Sequence, residues 1–251
     1  MELKNLISDG DKVQVYESDG KCIKVFKNAD EPKSVVMYEA LAHARVEETG
    51  FARIPALLGV EQINGKWCII YEHVAGKRLD ELILANPKMK RDFLEKMAAL
   101  HNEVNSLSCV KMSSQKDYFK RSITALDMVD DVKKFELLSR LEKLPDPKKL
   151  CHGDFSSTNI VVGDNGEMYI VDWLRAKQGN PMADVARTYL DFCLRHRTES
   201  AEQYIRLYCD IANADVNQVY EWLPIVAAAQ LKFRKPDERE LLLTWIDIVD
   251  Y

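Results

Sequence analysis

The sequence lacks the marks of several protein classes. Its 251 residues contain no apolar run approaching the length of a membrane-spanning helix, about 18 residues, and the N-terminal segment has no signal-peptide core. Six cysteines are scattered without C-x-x-C spacing, which argues against a zinc site or a disulfide scaffold. We therefore expect a cytoplasmic protein with reduced thiols and no membrane partner.

The sequence also lacks a net positive charge and contains little glycine. The formal net charge is −5 and no basic stripe is present, so we expect no nucleic-acid partner. With only 10 glycines, the chain has neither the G-x-G-x-x-G nor the G-x4-G-K-[ST] phosphate loop. Residues 181–251 carry 12 acidic and 8 basic side chains, which is compatible with a cationic ligand, although most such charges on helices are simply solvated.

The most specific pattern lies in residues 151–173, CHGDFSSTNIVVGDNGEMYIVDW. It spaces Asp154, Asn159 and Asp172 as H-G-D-x4-N-x12-D-W. Kinase-type phosphoryl transfer needs such groups: one carboxylate to accept a hydroxyl proton, and an amide with a second carboxylate to hold Mg²⁺ on the phosphates. A surface hairpin with polar ends is the alternative, but so specific a pattern favours catalysis.

A β-hairpin explains this spacing. Residues 160–162 and 168–171 are typical of short strands, and Gly-Asp-Asn-Gly at 163–166 is typical of the turn between them. Because a hairpin folds the chain back on itself, Asn159 and Asp172 are predicted to be neighbours that reach one metal ion.

The motif resembles the catalytic loop and metal motif of the aminoglycoside phosphotransferase/choline kinase family, which are protein-kinase-like enzymes that phosphorylate small molecules. Residues 179–186, GNPMADVA, resemble the family's G-D-P-x-x-D-[LI]-A segment. The resemblance implies an α+β, bilobal protein-kinase-like fold. Residues 1–73 would form a small, β-rich nucleotide-binding lobe, and residues 74–251 a mostly helical lobe for catalysis and acceptor binding.

The resemblance also implies a lysine and a glutamate in the first lobe. Lys24 lies in the strand candidate 21–26, which resembles the V-A-I-K strand whose lysine pairs with the α- and β-phosphates. Glu39, in a helix that opens at Glu31-Pro32, resembles the glutamate that holds this lysine. A solvated lysine and an ordinary helix-surface glutamate are the alternatives.

Nucleotide contacts are less specific in sequence. Around the single glycine of the first turn, Ser8, Gly10 and Lys12 are weak candidates for phosphate contacts, although a lone glycine between strands is commonly just a turn.

The linker between the lobes is expected after the strand 66–71. Glu72, His73 and Val74 precede Ala75-Gly76 and resemble the family's E-x-[VI]-x-G, so their backbone N–H and C=O groups are the candidates for adenine recognition.

The implied mechanism uses ATP, or GTP as an alternative, together with Mg²⁺ held by Asn159 and Asp172. Asp154 is the catalytic residue that orients the acceptor hydroxyl and takes its proton. His152 is expected to brace the loop. Asp184 either supports the loop from below or caps a helix at the surface.

The second lobe is predicted to be helical over 89–107, 201–211, 216–233 and 237–249. Trp222, Trp245 and Tyr251 are candidates for a cage around a quaternary ammonium ion. Aromatic residues at helical spacing are more commonly core, and we favour that interpretation.

These features predict an ATP-dependent phosphotransferase that moves the γ-phosphoryl group to a hydroxyl of a small molecule, with a cationic aminoglycoside or amino alcohol as one acceptor class. A nucleotide-binding pseudokinase and an atypical protein kinase are the alternatives. Intact Lys24, Asp154, Asn159 and Asp172 argue against the first, and the absence of an A-P-E-like segment argues against the second. The oligomeric state stays open.

Overall fold

The structure is a computed structural model that describes residues 2–233 and 236–247. The chain divides into two compact units. The first comprises Met1–Ala85 and Ser157–Arg175, and the second Asn86–Ser156 and Ala176–Tyr251. Within the described residues, none of the helices has the length and apolar character needed to cross a membrane.

Strands and helices are distributed unequally between the units. The strands are β1 (Asn5–Asp9), β2 (Val13–Ser18), β3 (Lys21–Phe26), β4 (Leu57–Ile63), β5 (Lys66–Glu72), β6 (Gly76–Arg78), β7 (Lys149–Cys151), β8 (Ile160–Gly163), β9 (Met168–Ile170) and β10 (Lys177–Gly179). The helices are α1 (Lys33–Glu47), α2 (Leu79–Ala85), α3 (Lys90–Ser106), α4 (Gln115–Thr124), α5 (Asp131–Lys143), α6 (Pro181–Leu194), α7 (Thr198–Ala212), α8 (Val216–Tyr220), α9 (Leu223–Gln230) and α10 (Pro236–Ile246). Most strands lie in the first unit and most helices in the second, which confirms the α+β class.

The first unit is built on a five-stranded antiparallel sheet with the order β1-β2-β3-β5-β4. Residues of β3 alternate between its two faces, as strand geometry requires. Ile23 and Val25 pack into a core on one face. Phe26 packs with Val36 of α1 on the other. This alternation places Lys24 on the face that α1 covers.

The predicted hairpin is confirmed. β8 pairs with β9 in antiparallel register, Ile160 opposite Ile170. Gly166 occupies the turn with φ of 83°, in the left-handed region that glycine adopts without strain. A third strand, β6, adds to the hairpin next to β8, where a Cβ on Gly76 would collide with the carbonyl of Val162.

The second unit is mainly helical, and the predicted helices are present with changed limits. The predicted helix 216–233 is interrupted, because α8 ends at Tyr220, α9 begins at Leu223 and a 3₁₀ turn follows at Leu231–Phe233. Pro224 lies in the first turn of α9, where its ring would clash with the carbonyl four residues earlier in a continuous helix. The end of the last predicted helix, with Val249, lies outside the described residues.

Two of the three aromatic residues considered for an ammonium cage lie in the described part of the chain. Trp222 is 1% exposed, and its ring centroid lies 5.9 Å from that of Phe119, so it is a core residue. Trp245 packs edge-on against Tyr189 at 5.7 Å. Tyr251 lies outside the described residues. For Trp222 the core interpretation is confirmed.

Candidate active site

A buried ion pair joins β3 to α1. The Lys24 ammonium donates to Glu39 Oε1 at 2.6 Å. The two side chains are only 13% and 2% exposed. Strand alternation turns Lys24 toward α1, and Glu39 is one of the few charged residues on the buried face of that helix. The predicted pairing is therefore present, and neither residue is an ordinary surface charge.

The environment shifts both partners of this pair. Burial raises the pKa of Glu39 above its ordinary value, although the charge of Lys24 opposes that effect. Burial alone would lower the pKa of Lys24, but the carboxylates of Asp172 and Glu39 outweigh it and raise that pKa. Lys24 thus stays cationic at neutral pH, and its charge interacts directly with the Asp172 carboxylate.

Asp172 and Asn159 meet at the open end of the hairpin. The Val171 N–H donates to the Asn159 carbonyl at 3.0 Å, which makes the two predicted metal ligands neighbours in the backbone. Lys24 Nζ lies 3.2 Å from Asp172 Oδ1. The side chain of Asp172 is 41% exposed, so the carboxylate is available to a ligand.

The backbone at Asp172 is in an unusual conformation. Its φ of 64° lies in the left-handed region, which non-glycine residues adopt rarely, aspartate more readily than most. The next residue anchors it: Trp173 is 1% exposed, donates its indole N–H to the Ile170 carbonyl at 3.1 Å, and packs edge-on to Phe51. The D-W pair therefore joins an exposed carboxylate to a buried ring.

The donor set at this end of the hairpin fits Mg²⁺. Magnesium prefers oxygen ligands and is usually bound by one or two carboxylates together with substrate phosphates. The Asp172 carboxylate and the Asn159 amide oxygen are such donors. Among the described residues there is no group of three or more His, Cys, Asp or Glu side chains arranged so that they could hold a metal ion by themselves.

The three linker residues differ in what their backbone can offer. The Glu72 N–H donates to the Ala56 carbonyl at 2.8 Å, and the His73 N–H donates to the Gly20 carbonyl at 3.2 Å. Both donors are thus used within the first unit. Val74 follows the end of β5, and its N–H makes no backbone hydrogen bond to any described residue.

The first turn of the sheet holds the phosphate-loop candidates. Cross-strand pairing aligns Ser8 with Val15 and Val15 with Lys24, so Ser8 belongs to the same row of residues as Lys24, two strands away. Gly10 donates its N–H to the Val13 carbonyl at 3.0 Å and closes a tight connection, residues 10–12, between β1 and β2. Their phosphate contacts stay a prediction.

The loop that carries Asp154 lies in the second unit and is held by hydrogen bonds from its backbone. The N–H groups of His152 and Gly153 donate to the two carboxylate oxygens of Asp184, at 2.6 and 2.7 Å. The Asp154 N–H donates to His152 Nδ1 at 3.2 Å. His152 is fully buried, which agrees with the bracing role predicted for it.

Asp184 is the centre of a buried polar network. It is 0% exposed, and His101 Nε2 lies 2.9 Å from its Oδ2. Burial opposes ionisation, but the contacts with His101 and with the loop N–H groups lower the pKa of Asp184 below its ordinary value. Asn180, whose side chain accepts from the Met182 N–H, caps α6. Asp184 therefore supports the loop, and its alternative role as a surface cap is wrong.

One residue of the site escaped sequence reasoning. Arg187 Nη2 donates to Asp154 Oδ1 at 2.7 Å. Arg187 follows Asp184 by three residues, close to one helical turn, so both side chains of α6 lie on one face. The helical period counted from Asp184 was the one sequence signal that could have pointed to Arg187.

A family-level comparison decides the membership of this chain. The profile of the phosphotransferase enzyme family (APH) matches residues 9–224, most of the chain. The chain belongs to this family. No curated protein sequence matches the chain.

Solved structures of the phosphotransferase family share its fold. The apo form of a thermostable mutant of aminoglycoside phosphotransferase APH(4)-Ia has a TM-score of 0.67 at 17% identity, covering 98% of this chain and 93% of that one. A ternary complex of that enzyme with ADP and hygromycin B has a TM-score of 0.68 at 17% identity, covering 98% and 92%. Choline kinase LicA from Streptococcus pneumoniae has a TM-score of 0.65 at 13% identity, covering 98% and 93%. The predicted kinase-like fold is confirmed.

Proposed function

We propose that this protein is a Mg²⁺- and ATP-dependent phosphotransferase that transfers the γ-phosphoryl group to a hydroxyl of a small molecule. The observation that carries the proposal is the contact of one lysine, Lys24, with both Glu39 and Asp172. A buried glutamate that fixes a lysine, and an exposed carboxylate beside that lysine, are the charges that phosphoryl transfer requires on the phosphate side.

In this proposal each charge has a distinct task on the phosphates. Lys24 neutralises the α- and β-phosphates. Glu39 holds the Lys24 ammonium in place for this contact. Asp172 and Asn159 are the residues that would hold Mg²⁺. When bound, Mg²⁺ supplies charge neutralisation at the phosphate oxygens. Binding of Mg-nucleotide would then compete with Lys24 for Asp172.

Asp154 serves the acceptor side. Its carboxylate accepts the proton of the attacking hydroxyl while the bond from the γ-phosphorus to the leaving oxygen of ADP breaks. Asn159 follows Asp154 by five residues, so both belong to one short segment of the chain.

For the nucleotide, we propose recognition of the adenine edge by the Val74 N–H and by the carbonyl groups of the linker. The support is that the N–H groups of Glu72 and His73 already donate within the sheet unit. ATP is the proposed donor. GTP is the alternative, since a related structure, an aminoglycoside 2'-phosphotransferase-IIIa mutant, is a complex with GDP.

For the acceptor, we propose a cationic hydroxyl compound, either an aminoglycoside or an amino alcohol. The support is the acidic excess of residues 181–251, together with likeness to structures described as complexes with hygromycin B and as a choline kinase. We also propose a cytoplasmic location, for which the support is that all six cysteines are free thiols.

The test is ADP release from Mg-ATP and Mg-GTP across aminoglycosides, amino alcohols, neutral sugars and a generic protein. The variant Asp154→Asn removes the proposed base, and Asp131→Asn is the matched control because its side chain is 99% exposed. We expect turnover stimulated by a small cationic acceptor, lost by at least about 100-fold in Asp154→Asn and unchanged in the control.

Other outcomes would select the alternatives. Nucleotide binding without stimulated turnover by any acceptor would favour the pseudokinase. Turnover with the protein only would favour the atypical protein kinase. Absence of nucleotide binding would overturn the assignment of Lys24 and the linker.

A further inference from the structure

Helix α6 contacts four consecutive residues of the loop around Asp154. Its Asp184 accepts the N–H groups of His152 and Gly153. One turn later, the Thr188 hydroxyl donates to the Phe155 carbonyl at 2.8 Å. These contacts fix the backbone on both sides of Asp154, and the side chain that lies on the same helix face between them is Arg187.

We propose that Arg187 is a positioning residue for phosphoryl transfer, which fixes the orientation of the Asp154 carboxylate. The inference rests on the proposed function, in which Asp154 is the base. Arg187 Nη2 and Asp154 Oδ1 are 2.7 Å apart, so the guanidinium holds one oxygen of the group that must meet the acceptor hydroxyl.

Burial gives this contact its weight. The side chain of Arg187 is 13% exposed and that of Asp154 is 31% exposed, so the pair is only partly screened by water. Arg187 Nε is buried and has no hydrogen-bond partner among the described residues. The Arg187 guanidinium leaves one buried donor unsatisfied while it holds the Asp154 carboxylate. Its position is therefore explained by that contact rather than by solvation.

Orientation matters because the base has to lie on the line of proton transfer. The acceptor oxygen forms its bond to phosphorus, the bond to the ADP oxygen breaks, and the hydroxyl proton passes to the Asp154 carboxylate. The torsions χ1 and χ2 of Asp154 set the orientation of its carboxylate. A hydrogen bond at Oδ1 restrains both torsions, and a misplacement of about 1 Å costs about 100-fold in rate.

The test compares Arg187→Ala, Arg187→Lys and Arg195→Ala in the full chain, with the best acceptor from the panel above. Arg195 is the C-cap residue of the same helix and pairs with Asp191, four residues earlier, so it controls for the loss of an arginine that pairs with an α6 carboxylate. We expect kcat to fall about 100-fold in Arg187→Ala, with the acceptor KM changed less than about threefold. The control should keep wild-type kcat.

Chemical rescue separates positioning from support of the fold. Guanidinium added at roughly 20 to 50 mM should restore kcat of Arg187→Ala by about 10-fold, since it refills the space beside Asp154. Ammonium at equal ionic strength should restore kcat less, because it lacks the planar fork of donors. Arg187→Lys should be intermediate. A fall in kcat with no rescue and a lowered melting temperature would overturn the proposal, as would kcat within twofold of wild type.

A double variant distinguishes this inference from the proposed function. If Arg187 acts through Asp154, Asp154→Asn with Arg187→Ala should be no slower than Asp154→Asn alone. A double variant slower by the full factor of Arg187→Ala would overturn the positioning role while keeping the proposed base. Full turnover in Asp154→Asn would instead overturn the base assignment of the proposed function.

Discussion

Replacement of Asp184 by asparagine is the most demanding test of the buried network. The carboxylate accepts from two loop N–H groups, His152 at 2.6 Å and Gly153 at 2.7 Å, and also from His101 and Asn105. Asparagine has the same shape but only one acceptor oxygen. In either orientation of the amide, at least one backbone N–H of the loop would face an NH₂ group.

The size of the effect follows from the loss of acceptors. An unsatisfied buried donor costs about 1–3 kcal/mol, and the remaining bonds lose their charge assistance. We therefore expect Asp184→Asn to lower the free energy of unfolding by about 3 kcal/mol. For a chain of this length, that corresponds to a fall in melting temperature of about 6–12 °C.

The assay is urea unfolding followed by circular dichroism at several pH values, with Asp131→Asn as the surface control. The pKa of Asp184 is lowered in the folded state, so its ionised form stabilises the fold above the unfolded value of about 3.9. That stability is lost as the pH falls through the lower folded pKa. The difference between wild type and Asp184→Asn should be complete at pH 7 and should shrink below about pH 4.

Two results would refute the reasoning. The first is a destabilisation of Asp184→Asn below about 0.5 kcal/mol, the usual upper limit for a surface substitution. The second is a difference that stays constant from pH 7 to pH 3, because it would mean that the charge of Asp184 does not contribute.

Three further predictions test other parts of the structure. Lys24→Met should lower kcat/KM for ATP by about 100-fold in steady-state kinetics, because it removes the cation proposed to neutralise the phosphates and leaves Glu39 buried without its cationic partner. An unchanged value would contradict the assignment. Gly76→Ala should destabilise the chain by about 2 kcal/mol in urea, since its Cβ would meet the carbonyl of a β8 residue, whereas Gly59→Ala, where the Cβ has open space, should not. Cys22 should react far more slowly than a free thiol with a thiolate-specific reagent at pH 8, because burial raises its pKa to about 11. Rapid modification would show that β3 opens.

Sequence reasoning succeeded where the contacts are local. The hairpin that joins Asn159 to Asp172 depends on a turn and two short strands, all within 14 residues of chain. The pairing of Lys24 with Glu39 spans 15 residues, and strand alternation followed by one helix is enough to bring the two together. Local patterns of this kind restrict the backbone strongly, so the residues proposed to act on the phosphates were visible in the sequence.

Two details were not anticipated, one in a helix of the second unit and one in the linker after β5. The predicted helix 216–233 breaks because Pro224 meets the preceding turn, a local signal that the apolar period concealed. The linker was predicted as three equivalent residues, but sheet contacts with Ala56 and Gly20 use two of its N–H groups. Ala56 precedes β4 and Gly20 lies in the turn between β2 and β3, so the linker sequence itself does not indicate these contacts.

The sequence by itself determined the chemistry of this protein: which carboxylates, amide and lysine are present, and the short-range spacing that groups most of them. Only the tertiary structure decided how Asp154, the proposed base, is held. Arg187 reaches Asp154 across 33 residues, and His101 reaches Asp184 across 83. Such contacts depend on the packing of α3 against its neighbours and of α6 beneath the loop. Packing is selected by the free energy of the whole buried core, and no local pattern records it.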